Sequence, residues 1–177
     1  MVEAGRSLIV EVTDGELGGY RGQLLQDLVK SAVARLAYAM AWDLAGTGVT
    51  ALAISPGFLR SEAILEGLGV NQANWREAAK RRPEFGFSES PRYIGRVIAA
   101  LAPAPDVAAR SGASLWVSDL ARAHGVSDAD GSQPDFWGAV EAWLAPQIAA
   151  EADLPVQALW MAQARYAQIH SSPAHAQ

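Results

Sequence analysis

Lys30 stands four residues after Gln26, a spacing that puts the two side chains one turn apart on a single helix face. Only two lysines, Lys30 and Lys80, occur in the 177 residues, so a lysine in such a position stands out. A cation beside a side chain that can exchange a proton would serve general acid–base chemistry. Gln26 does not complete that pair, because a carboxamide donates a hydrogen bond but releases no proton near neutral pH. Thr13 offers a hydroxyl at the end of one apolar run, and Asp14 after it suits an Asx-type turn. Pro56-Gly57 close a second apolar run, with Ser61 four residues beyond the glycine. Proline there fixes φ, and glycine lets the backbone approach a ligand closely.

Other chemistries are excluded by composition. There are no cysteines, hence no disulfide, thiolate nucleophile or thiolate metal site. His124, His170 and His175 lack metal-ligand spacing, so no metal is expected. Gly15, Gly18, Gly19 and Gly22 do not form G-x-G-x-x-G, and no Lys-Ser/Thr pair directly follows a glycine, so a phosphate loop is not expected there. The net charge of −5 argues against a nucleic-acid or anionic-membrane surface. No apolar run is long enough for a membrane span, and the N-terminus lacks a signal pattern. A cytoplasmic location is expected.

The elements that would carry these residues alternate. Residues 7–13 (SLIVEVT) predict a strand ending at Asp14-Gly15. Leu25, Val29, Val33, Leu36, Met40 and Leu44 recur at the helical period and predict a long helix over residues 23–45, with small residues on its other faces suggesting burial on more than one side. Residues 49–54 predict a second strand. Residues 58–87 are mixed, with short helical patterns at 62–68 and 74–81. Ser90 and Pro91 suit the N-cap and first position of another helix, ended by Pro103 and Pro105. Residues 114–117 predict a third strand, residues 128–135 a polar linker, and residues 136–150 and 155–169 two more helices. Strands alternating with helices indicate a parallel sheet. The expected fold class is α/β: a partial Rossmann-like parallel sheet of about three strands with flanking helices and a helical C-terminal extension.

This ordered set, from Thr13 through Gln26-Asp-Leu-Val-Lys30 to LAGTGVTALAISPGFLRSE, resembles the short-chain dehydrogenase/reductase family over residues 7–117. In that family a strand ends in Ser or Thr and a helix carries Tyr-x-x-x-Lys. The next strand ends in Pro-Gly, with Ser or Thr four residues beyond. The resemblance implies catalytic positions at Thr13, Gln26 and Lys30. It implies contacts to NAD or NADP from Lys30, Pro56, Gly57 and Ser61, and substrate contacts from Asp14, Tyr20 and Phe58. The departure is Gln26, where the family has the tyrosine whose phenol, with its pKa lowered by the lysine, supplies the proton.

Only six residues precede the first strand, so the family's Gly-rich phosphate turn and first strands are expected to be absent. Residues 1–127 then form the C-terminal half of a Rossmann-like domain, and residues 128–177 a linker and helical tail. An interior strand without its upstream neighbour would expose unpaired backbone groups. A homo-oligomer or a partner covering that edge is therefore expected, with neither nucleic acid nor membrane as partner. Three functions follow: a truncated oxidoreductase inactive alone, half of a split oxidoreductase completed by a partner chain, or a non-catalytic binding or oligomerisation module.

Overall fold

The computed structural model describes residues 1–14, 24–139 and 142. Three parallel strands, β1 (Ser7–Val12), β2 (Val49–Ser55) and β3 (Ser114–Trp116), form one sheet in the order β1-β2-β3. Helix α1 (Leu24–Asp43) connects β1 to β2. Helices α2 (Glu62–Gly67) and α3 (Pro91–Leu101) lie between β2 and β3, and α4 (Val117–His124) follows β3 directly. The α/β class and the parallel sheet are as the sequence predicts.

Side chains alternate across a strand, and that alternation sorts the layers. Leu52 and Ile54 of β2, with Leu8 and Val10 of β1, pack against Tyr93, Ile94, Val97 and Leu101 of α3 and Leu120 and Ala121 of α4. Ala53, on the opposite face of β2, packs against Ala34 and Ala37 of α1. Every residue of β2 is buried, as expected of a parallel strand covered on both faces. The turn before β2 is close-packed. Gly48 has φ +78°, and a Cβ there would lie 2.1 Å from the Gly5 carbonyl oxygen, so only glycine fits.

Helix α1 departs from the expectation of burial on several sides. Among its described residues only Ala34 and Ala37 are buried. Leu25 is 77% exposed, Val29 58% and Trp42 68%. The small residues let the helix approach the sheet closely, and the periodic large residues lie on the other faces.

Ser90 caps α3, its hydroxyl oxygen accepting from the Arg92 N–H at 3.2 Å, with Pro91 at the first position. The helix expected at 74–81 is instead a 3₁₀ segment, Trp75–Lys80. Its buried residues, Trp75 and Ala78, are three apart, the spacing that three residues per turn place on one side. Strand β3 stops at Trp116 rather than 117, because Val117 opens α4. The helices expected at 136–150 and 155–169 lie almost wholly outside the described residues.

Candidate functional site

Parallel strands bring their carboxyl ends to one edge of the sheet, where α/β folds hold their ligands. Here the ends of β1 and β2 are joined in register: Val12 pairs with Ile54, and the Thr13 N–H donates to the Ile54 carbonyl at 3.1 Å. Thr13 is buried, and its hydroxyl donates to the Lys30 main-chain carbonyl at 2.8 Å. The structure therefore brings Thr13 and Lys30 together. Gln26 is exposed on α1, one turn before half-buried Lys30, and Asp14 is half-buried beside Thr13. Tyr20 lies outside the described residues.

The loop after β2 is held from above by aromatic side chains. The Pro56 carbonyl accepts from the Trp137 indole N–H at 3.4 Å, and Trp137 packs on Trp116 with ring centroids 4.6 Å apart. A Cβ on Gly57 would stand 2.3 Å from the Phe136 Cβ and 3.1 Å from Glu89 Oε2. The space that glycine opens is thus taken by this chain's own Phe136. Phe58 lies edge-on to Phe85 and Phe136, at 5.0 Å and 6.0 Å. Ser61 is the N-cap of α2, its hydroxyl oxygen accepting from the Ile64 N–H at 3.4 Å. Leu65, Trp75, Ala78 and Phe85 form a small core of their own beneath Phe58, Leu68 and Val70.

Beneath the loop lies a buried polar cluster that the sequence reading did not single out. Arg60 is 4% exposed, stacks over Trp75 at 4.2 Å, donates to the Ser88 carbonyl and pairs with Asp128 at 3.3 Å. Asp128, the first residue of the expected linker, is 1% exposed. It accepts from the Ser90 N–H at 2.8 Å and from the Ser90 hydroxyl. Glu89 is bridged to the loop by its backbone: its N–H donates to the Phe58 carbonyl at 2.9 Å, and its carbonyl accepts from the Arg60 N–H at 2.8 Å. Its carboxyl accepts from the Gly57 N–H. Burial pulls the Arg60 guanidinium below its ordinary value, and Asp128 pushes it back up. Burial likewise drives the Glu89 carboxyl up to about 8 and the Tyr93 phenol to about 12. No local pattern announces this cluster, because Arg60 meets partners 28 and 68 residues away.

The mouse protein "Dehydrogenase/reductase SDR family member 1" is 33% identical to this chain over 132 residues, and its human counterpart 30% over the same length. The chain belongs to the short-chain dehydrogenase/reductase family. Each alignment takes in 74% of this chain and 42% of the relative, so the chain spans less than half the length of either. No family model matches. The solved structure of ElxO with NADP bound superposes at a TM-score of 0.52 over 66% of this chain and 47% of that one; at 20% identity this likeness speaks to the fold.

The family's nicotinamide cofactor can be tested against the described residues of this short-chain dehydrogenase/reductase chain. They do not fit it by themselves. The Thr13 hydroxyl is engaged with the Lys30 carbonyl, Phe136 fills the space in front of Gly57, and the Ser61 hydroxyl caps α2. Among the described residues no helix is long and apolar enough to cross a membrane.

Proposed function

We propose that this chain is the C-terminal half of a short-chain oxidoreductase fold and does not by itself turn over NAD(H) or NADP(H). The observation that carries the reading is Gln26, an exposed amide one helical turn before Lys30 where the family has an ionisable phenol. Hydride transfer to a carbonyl leaves an alkoxide that must be protonated, and an amide supplies no proton. The curated relatives' names support the dehydrogenase/reductase class. The test is a titration of the 177-residue protein with NADH and NADPH, followed by coenzyme fluorescence and by turnover on a panel of carbonyl substrates. Neither saturable binding nor turnover is expected; oxidation of the coenzyme by the purified chain would overturn the reading.

A second reading rests on α1 and β1. The side chains of Leu24, Leu25, Leu28 and Val29 are more than half exposed, and β1 is an edge strand of the described sheet. A second copy of this chain, or a partner that supplies the neighbouring strands, covers this surface in this reading, so the chain acts as one half of an assembly. Light scattering coupled to size exclusion tests it. An oligomer is expected, converted to monomer by Leu25→Glu with Leu28→Glu; a monomeric parent protein that binds no partner counts against it.

A further inference from the structure

The segment from Asp128 to Trp137 leaves the core and returns across the loop after β2, touching it at three points. Asp128 pairs with Arg60 at 3.3 Å, Phe136 packs on Gly57 and Phe58, and the Trp137 indole donates to the Pro56 carbonyl at 3.4 Å. Glu89 sits under this strap. It is 1% exposed, and its Oε1 has no hydrogen-bond partner among the described residues. Its other oxygen and the Phe136 Cβ flank the same point in front of Gly57.

The charges around Glu89 are mostly of its own sign. Asp128 and Asp135 face it from the strap, Arg60 from the loop, and the Tyr93 hydroxyl is nearby on α3. The cations are already engaged: Arg60 with Asp128, and Arg122 of α4 with Asp135 at 2.9 Å and Asp119 at 3.0 Å. Farther out, Arg76 pairs with Asp130 on the strap at 4.0 Å. An ionised Glu89 would be a buried anion under the influence of two strap carboxylates, with one oxygen lacking a hydrogen-bond partner among the described residues.

We propose that Glu89 is a protonation latch: its neutral carboxyl lets the strap of residues 128–137 close over the loop from Pro56 to Arg60, and its ionisation releases the strap. The latch goes beyond the proposed function, since it concerns where the loop sits whether or not a coenzyme is bound. The released proton goes to solvent, and water entering beneath the strap solvates the new carboxylate.

Peptide-resolved hydrogen exchange on the full chain tests this, with protection factors compared at about pH 6 and about pH 9.5. Peptides covering residues 57–61 and 128–137 are expected to lose about tenfold or more of their protection at the higher pH, while β2 and α3 keep theirs. Glu89→Gln, which keeps an acceptor for the Gly57 N–H but cannot ionise, should hold both segments protected at both pH values. Infrared spectroscopy of the unaltered protein gives an independent measurement. A protonated carboxyl band should be present at about pH 6 and lost over the same interval as the protection. Equal protection of the unaltered protein at both pH values, an identical loss in Glu89→Gln, or no protonated band at the lower pH would each overturn the latch.

Discussion

The Thr13 hydroxyl lies 2.8 Å from the Lys30 main-chain carbonyl and donates to it, tying the end of β1 to the middle of α1's first turns. A hydroxyl so engaged is a structural pin. Thr13→Val keeps the shape and β-branching but removes this bond, while the carbonyl keeps its place in the helix ladder. It should cost about 0.5–1.5 kcal/mol. Urea unfolding followed by circular dichroism reads the loss. Thr13→Ser retains the donor and should recover most of it.

Gly57→Ala should destabilise the protein by about 1–3 kcal/mol, the cost of overpacking. The new methyl would meet the Phe136 Cβ at 2.3 Å and its Cγ at 2.9 Å. Because the nearer clash is with the Cβ, Phe136→Ala should not rescue Gly57→Ala. Thermal unfolding of the two single variants and the double variant checks this. Rescue would mean that the ring, and not the backbone position of the strap, sets the limit.

Removing either partner of the buried Arg60–Asp128 pair strands the other away from water. Asp128→Leu should cost about 3–5 kcal/mol. Arg60→Leu should cost a comparable amount. The double variant Arg60→Leu with Asp128→Leu should cost less than the sum, since neither leaves a lone buried charge. Denaturant midpoints for the four proteins close the cycle.

Stability should fall as pH rises from acid into the mildly alkaline range. Glu89 has an ordinary value of 4.5 and is raised to about 8 by burial. Between those values the folded protein keeps a proton that the unfolded chain has shed, so the stabilisation is whole below the lower value and lost through the upper one. The slope from this group is at most about 1.4 kcal/mol per pH unit. It should flatten above about 8 and be absent in Glu89→Gln. Unfolding free energies measured at a series of pH values would show it.

The sequence by itself determined the α/β alternation, the parallel strands and the family. These rest on patterns a few residues long: the β-branched runs at 7–13 and 49–54, the Ser90-Pro91 helix start, and the Gln26, Lys30 and Pro56-Gly57 spacing. Helix α4 was also within reach, since Val117, Leu120 and Ala121 share a helical face and Gly125 supplies a left-handed stop at φ 65°. Only the tertiary structure decided which face of α1 is buried, because the alanines at 34 and 37 admit close approach to Ala53 while Leu25 and Leu36 stay exposed. It alone decided that Phe136 occupies the space before Gly57 and that Arg60, Glu89 and Asp128 share one buried site. The reason is distance along the chain. Residues 28 to 68 positions apart leave no local periodicity, and whether a charge is buried depends on what packs over it.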